Sequence, residues 1–111
     1  MIAIPKRLLP DTLEVYVPDP DAAYEGQYLE AKTIEGVRFE KAQALNQATY
    51  KLADGANGRI FIDKVNSKGA FDIPLGSKLV IGNTSMKVVS VTELQTFGGE
   101  LHHWEVDVAW A

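Results

Sequence analysis

The sequence predicts an all-β fold, a small antiparallel β-barrel or sandwich of about five to seven strands with at most one short helix. Apolar and polar residues alternate with a period of two wherever a period can be read, which is typical of half-buried strands. Short runs of this kind are separated by turn-forming Gly, Pro, Asn and Asp. A length of 111 residues is that of a single domain.

The first third predicts an arm, a strand and a loop. Residues 1–11 show no period and contain Pro5 and Pro10, so we expect an irregular N-terminal arm ahead of one β domain over residues 12–111. Residues 12–17 alternate and predict the first strand. A Pro-Asp-Pro-Asp tract ends that strand and predicts a loop over residues 18–27.

The middle third is less regular. The alternation around Val37 and Phe39 predicts a strand over residues 34–44, although the Ala-rich stretch 40–50 also suits a helix. Residues 53–58 are dense in turn formers, and residues 59–65 then predict the next strand.

The final third predicts a hairpin and a last strand. Residues 78–81 and 86–94 flank a loop over residues 82–85 that contains Gly and Asn. The alternation places Met86, Val88, Ser90, Thr92 and Leu94 on one side of the second arm and Val89 and Val91 on the other. Residues 101–110 give the clearest alternation, with His102, Trp104, Val106, Val108 and Trp110 on one face and His103, Glu105 and Asp107 on the other.

These strands predict a core of thirteen apolar side chains, in which Trp104, Val106 and Val108 form the structural core strand. The predicted set is Leu13, Val15, Val37, Phe39, Ile60, Ile62, Leu79, Ile81, Val88, Val91, Trp104, Val106 and Val108.

Composition and charge exclude several classes of protein. A hydrophobic fraction of 46% and a charged fraction of 23% argue against a mainly disordered chain. No apolar run approaches the ~18 residues of a membrane helix, and the start has no secretory apolar core. We therefore expect a protein that is soluble and intracellular when synthesised. The net charge of −4 lacks the basic surface that is typical of a dedicated nucleic-acid binder.

The sequence offers no catalytic or metal-binding pattern. The chain has no Cys, and it lacks the phosphate-binding, dinucleotide-binding, nucleophile-elbow and zinc-protease motifs. Adjacent side chains of a strand point to opposite faces, so His102 and His103 are not expected to share a metal unless a bulge intervenes. We expect no enzyme activity, no cofactor and no metal site.

Trp104 and Trp110 allow two interpretations. On one face of a barrel they would suit a platform on which nucleic-acid bases stack. The acidic composition favours the other interpretation, in which they anchor a core or an interface.

Both ends of the sequence resemble a family of small minor capsid proteins found in long-tailed phages and in prophages of Gram-positive bacteria. The resemblance rests on residues 4–12 (IPKRLLPDT) and residues 101–108 (LHHWEVDV). Residues 76–82 (GSKLVIG) and 86–91 (MKVVSV) are similar to the central segment of that family. Residues 18–33 are more acidic than the family pattern, and residues 46–58 look longer than a plain turn.

The resemblance implies a head–tail connector subunit, or stopper, that completes the DNA-filled head and joins it to the tail. Such proteins are small β-barrels that form a homo-oligomeric ring in the virion, assembled in the host cytoplasm without a membrane. Their neighbours are connector proteins on the adaptor and portal side and on the tail side, and DNA passes through without sequence-specific binding.

The resemblance also implies roles for two segments, both inferred from their position in the chain. A loop between the second and third strands would point into the channel, and its residues here are Gln47, Tyr50, Lys51, Leu52, Asp54 and Asn57. An ordinary surface loop is the alternative. The arm would dock on assembly through Lys6, Arg7, Leu8 and Leu9.

Two further classes of function stay open on the sequence. One is an OB-like nucleic-acid binding module, which the negative net charge disfavours. The other is a different phage structural protein of similar size, such as a tail terminator or a capsid decoration protein.

Overall fold

The computed structural model describes residues 3–23, 26–41, 52–53 and 55–111. A single 3-10 turn, Lys6–Leu8, precedes six strands. The strands are β1 (Asp11–Tyr16), β2 (Lys32–Lys41), β3 (Gly58–Asp63), β4 (Lys78–Ile81), β5 (Thr84–Gln95) and β6 (Leu101–Trp110). The all-β prediction is confirmed, and no α-helix lies in the described part of the chain.

The six strands close into one barrel in the order β1-β2-β3-β6-β5-β4, and every pairing is antiparallel. Four of the pairings join strands that are consecutive in the chain. The other two, β3 with β6 and β1 with β4, join strands that are distant in sequence. Closure leaves few free strand edges, which is one way in which small β proteins avoid pairing with other chains.

The core fills the inside of the barrel with aliphatic side chains and one indole. Leu13, Val15, Ile60, Leu79 and Val106 are fully buried at its centre. Of the thirteen predicted core residues, ten are buried, and Phe39, Ile81 and Val91 are partly buried against them. Ile34, Ile73 and Met86 also belong to the core, although they were not in the predicted set.

Three β-bulges change which side chains face inward. Gly36, Val89 and His102 are the extra residues at the register shifts of the β1–β2 and β5–β6 pairs. Gly36 has φ +82°, and the bulge there lets Ile34 and Val37 both point into the core. Strict alternation ends beyond Val88, because the bulge at Val89 turns Val91 toward the core, where the sequence also placed Val91.

Two predicted boundaries also differ from the structure. β3 ends at Asp63 because the carboxylate of Asp63 accepts the backbone N–H groups of Val65 (2.9 Å) and Asn66 (2.8 Å), which closes a turn. The β4–β5 hairpin has a two-residue turn, Gly82-Asn83, in which only Gly82 has a positive φ, the pattern of a type II′ turn. The helical alternative for residues 40–50 lies outside the described residues beyond Lys41, where β2 ends.

Because every strand pair is antiparallel, the connections between successive strands lie alternately at the two ends of the barrel. The described residues of the connections after β1, β3 and β5 (17–23 and 26–31, 64–77, 96–100) lie at one end. The turn at 82–83 and the described residues just before β3 (52–53 and 55–57) lie at the other end. The two ends are therefore built from different connections and can meet different partners.

Candidate functional site

Of the seven large apolar side chains that are exposed in the described residues, five lie in the connections at one end of the barrel, which we call the apolar end. It comprises Tyr28, Leu29, Val65, Leu75 and Phe97, from all three connections at that end. Phe97 is fully exposed at the tip of the β5–β6 hairpin, and Val65 and Leu75 are 74% and 66% exposed. Single exposed apolar residues are ordinary, but their presence in every loop of one end is typical of a contact surface.

The opposite end carries the longest connection between consecutive strands, residues 42–57 between β2 and β3. Of the residues that the family resemblance places in a channel loop, Gln47, Tyr50, Lys51 and Asp54 lie outside the described residues. Leu52 and Asn57 are described, and both are half-buried.

The last part of this connection is fastened to β6. The N–H of Asn57 donates to the carbonyl oxygen of Val108 (2.7 Å), and the Asn57 Oδ1 atom accepts the N–H of Trp110 (2.9 Å). The N–H of Ala53 donates to Oδ2 of Asp107 (2.8 Å). Residues 52–53 and 55–57, which we call the return leg, are therefore held beside β6 at Ala53 and Asn57.

The outer face of β3 and β6 holds a buried ion pair beneath the return leg. Arg59 Nε donates to Asp107 Oδ1 (2.6 Å), and Arg59 Nη1 donates to Glu105 Oε1 (3.0 Å). Arg59 and Asp107 are both buried, at 8% and 5% exposure. The sequence placed Asp107 on a polar outer face, but its burial depends on the pairing of Arg59 with Asp107 across β3 and β6, which no local pattern reveals.

The two histidines depart from the sequence expectation. His102 and His103 bring their Nδ1 atoms to 2.7 Å, and their rings meet edge to face. The expectation that they point apart is wrong because His102 is the extra residue of a bulge. His103 also lies beside Glu105, with Nε2 and Oε2 3.0 Å apart. No group of three or more His, Asp or Glu in the described part of the chain is arranged to hold a metal.

The N-terminal arm lies against the outer face of β2 and β3. Of the four arm residues named above, Lys6, Arg7 and Leu8 are exposed, whereas Leu9 is buried. The N–H of Ile4 donates to Asp63 Oδ1 (3.0 Å), and the Asn66 amide donates to the Ile4 carbonyl (2.8 Å). An open cleft of about 330 Å³ remains between the arm and the barrel.

The two tryptophans lie in different surroundings. Trp104 is buried in the core, and its Nε1–H donates to Oδ1 of Asp72 (2.6 Å) in the β3–β4 connection. Trp110 is 46% exposed at the opposite end and packs edge to face on Phe39. Trp104 is therefore not available to stack on nucleic-acid bases.

One surface group has a perturbed acidity. The Tyr16 hydroxyl donates to Glu14 Oε2 (3.1 Å). This hydrogen bond and the negative charge of Glu14 raise the pKa of Tyr16. The pair lies exposed on β1, far in the barrel order from the Arg59–Asp107 pair.

Comparison with known proteins identifies a family. The model of a protein family described as "Minor capsid protein" matches residues 5–108, from the arm to near the end of β6. No curated protein and no solved structure matches the chain significantly. Within the described residues, no helix is long and apolar enough to cross a membrane.

Proposed function

The chain belongs to the minor capsid protein family, and we propose that within the phage particle it is a head–tail connector subunit. In this role it closes the DNA-filled head and joins it to the tail, as part of a homo-oligomeric ring. The family itself makes the chain a structural component of the virion. The connector role is the further step that we propose.

The observation that carries the proposal is the difference between the two ends of the barrel. A connector subunit meets one protein on the head side and another on the tail side, so it needs two unlike surfaces along one axis. The apolar end offers Phe97, Val65 and Leu75 for burial against a partner. The opposite end carries the end of β2 and the start of β3, which are joined by the longest connection between consecutive strands.

We assign the channel contact to residues 47–57 of this connection. Its return leg is hydrogen-bonded to β6 at Ala53 and Asn57. The sequence of residues 42–51 contains a single base, Lys51, which suits a segment that narrows a bore without gripping phosphate groups. The ring contact itself would be heterologous, with different faces of neighbouring copies meeting.

The test is a phage that lacks this protein, complemented with the purified chain. We expect packaged heads without the protein to lose their DNA and to remain without tails. When the protein is added during packaging, we expect the heads to retain their DNA and to acquire tails. A tail terminator would instead leave closed, DNA-filled heads and tails of abnormal length. That second result would contradict the connector role.

A shortened variant tests the connection separately. Replacing residues 46–51 by two glycines spares the bonds of Ala53 and Asn57, so the barrel is expected to stay folded. Heads complemented with this variant should lose DNA before tails join. A variant of the β5–β6 tip, Phe97→Ser, serves as a matched control, since it should weaken attachment to a partner without opening the bore.

A further inference from the structure

We propose that the edge of β5 that faces away from β6 over residues 90–95, which we call the free edge, accepts an extended segment of the connector protein that meets the apolar end. That segment adds a strand beside β5, with a Lys or Arg next to Glu93 and an apolar residue next to Val91. The identity of the partner rests on the proposed function, whereas the site itself rests on the strand pairing.

β5 is much longer than the strand that pairs with its second edge. It has 12 residues, whereas β4 has 4 and pairs only with residues 84–87. One further backbone bond on that side runs from the N–H of Val88 to the carbonyl oxygen of Ser77 (3.2 Å). Over residues 90–95, β6 is the only described segment that pairs with β5. This part of β5 is therefore a sheet edge, although the barrel is closed at the level of β4.

The alternation along β6 shows which of its residues bond to β5. In an antiparallel ladder, successive residues direct their N–H and C=O groups to opposite sides of the strand. The N–H of Trp110 donates to Asn57 on the β3 side, and the N–H of Ala111 donates to the carbonyl oxygen of Ser85 in β5. The odd-numbered residues of β6 from 103 to 109 therefore face β5.

The unpaired backbone groups of the free edge follow from this alternation. Thr92 lies opposite Glu105, an odd-numbered residue of β6, so the N–H and C=O groups of Thr92 are directed toward β6. The residues on either side of it, Val91 and Glu93, direct theirs away from β6. Two donors and two acceptors are thus available to a strand that approaches this edge.

The side chains of the free edge suit a partner of one kind. Val91 lies opposite Val106 and packs against the core, whereas Glu93 lies opposite Trp104 on the same face and is exposed. A strand added here places one side chain beside each of them. An apolar residue beside Val91 and a base beside Glu93 are both favourable pairs, so the partner segment carries these two residues two positions apart.

Glu93 disfavours a second copy of this chain as the occupant. If two free edges paired antiparallel, both Glu93 side chains would lie on one face in opposite or diagonal positions, where like charges repel. Charged side chains at strand edges commonly prevent such self-pairing in β proteins. The same charge favours a partner strand that carries a base, so it selects a different protein.

The free edge is continuous with the apolar end. β5 leads directly into the hairpin tip, where Phe97 is fully exposed, and Val65 and Leu75 are exposed in the β3–β4 connection at the same end. In strand addition, backbone hydrogen bonds supply affinity and the flanking side chains supply specificity. A partner that buries the apolar loops therefore needs only one extended segment to pair with β5.

Two synthetic peptides test the site on the full chain. In both peptides Thr alternates with Val, and the central Val is replaced by Lys in one and by Glu in the other. The variant Glu93→Lys reverses the charge of the free edge. Glu100→Lys is the matched control, because Glu100 is an exposed acid of the same hairpin beyond the free edge.

The measurement is the rate at which each backbone amide exchanges with water, by NMR, with the peptides at millimolar concentration. We expect the Lys peptide to slow exchange of the Val91 and Glu93 amides about threefold and to leave the Thr92 amide unchanged. The Lys peptide should bind about fivefold more tightly than the Glu peptide. Glu93→Lys should reverse this preference, and Glu100→Lys should keep it.

Two results in solution would contradict the inference. Unchanged exchange of the Val91 and Glu93 amides with both peptides would overturn the free edge as an acceptor strand. Equal binding of the two peptides would overturn the preference for a base beside Glu93.

Complemented heads distinguish failure of this inference from failure of the proposed function. Loss of head binding or of tail attachment in Glu93→Lys, but not in Glu100→Lys, would support the inference. Normal binding and attachment in Glu93→Lys would overturn it when the wild-type chain restores the heads. If the wild-type chain restores neither DNA retention nor tails, the connector role is refuted, and the peptide result alone decides whether β5 accepts a strand.

Discussion

Trp104 is the largest core side chain, and it contributes to stability through the packing of its ring and through a hydrogen bond. Replacing it by Phe and by Ala separates these two contributions. Trp104 is 3% exposed in the barrel core, and its Nε1–H donates to Oδ1 of Asp72 at 2.6 Å. Truncation of a buried Trp to Ala removes packing and leaves a cavity, which typically costs about 3–5 kcal/mol. Phe keeps most of the ring packing but loses the hydrogen bond.

The magnitude for the Phe variant follows from the surroundings of Asp72. A hydrogen bond to a charged group contributes about 1.5–3 kcal/mol. Asp72 is exposed, so water can solvate its carboxylate when the indole is gone, which brings the loss to the lower end of that range or slightly below it. We expect Trp104→Phe to cost about 1–2 kcal/mol and Trp104→Ala to cost at least twice as much.

These values are tested by denaturant unfolding. The proteins compared are Trp104→Phe, Trp104→Ala, Asp72→Ala and the double variant Trp104→Phe/Asp72→Ala. Asp72→Ala leaves the buried indole N–H without its acceptor, so it should cost about as much as Trp104→Phe. The double variant should cost little more than either single change, because both remove the same bond. Equal costs for Trp104→Phe and Trp104→Ala would contradict this prediction, since they would mean that packing of the aromatic ring contributes nothing.

Three further changes should have distinct effects on thermal melting. Deleting residues 1–9 should leave the barrel folded but less stable by about 2 kcal/mol, because Leu9 is 4% exposed and loses its burial; loss of the folded state would show that the arm is integral to the barrel. Gly36→Ala should cost about 1–3 kcal/mol, because Gly36 has φ +82° and an added Cβ would lie 3.1 Å from the Asn66 carbonyl oxygen; an unchanged melting temperature would contradict this. Ser77→Ala should preserve or raise stability, because the buried Ser77 Oγ has no hydrogen-bond partner within the described residues, and a clear drop in melting temperature would count against that reading.

Local sequence patterns predicted much of the fold. Alternation in residues 12–17 and 101–110 identified β1 and β6 to within one residue, because the period of two is a property of each strand by itself. The two-residue turn at Gly82 and Asn83 followed from the same kind of local signal, although the sequence suggested a longer loop.

The alternation failed where a bulge adds a residue. At Val89 and His102 the pairing shifts by one, so side chains beyond the bulge change face or meet a neighbour. Whether a strand bulges depends on the curvature needed to close the barrel, and the flanking residues carry no separate mark of it. The contact between His102 and His103 therefore accompanies a bulge that local alternation does not show.

Some features of the candidate site could also be predicted from the sequence, and others could not. Local sequence patterns predicted a small all-β domain, the shared face of Glu105 and Asp107 on the last strand, and a long connection before the third strand. Strand pairing was needed to show that Arg59 faces Asp107, that Ala53 is bonded to that carboxylate, and that the exposed apolar loops share one end. The periodicity of a strand can be read from residues that are neighbours in the sequence. The pairing of β3 with β6 instead joins distant segments, since Arg59 and Asp107 are 48 residues apart, and it is selected by the packing of the whole core.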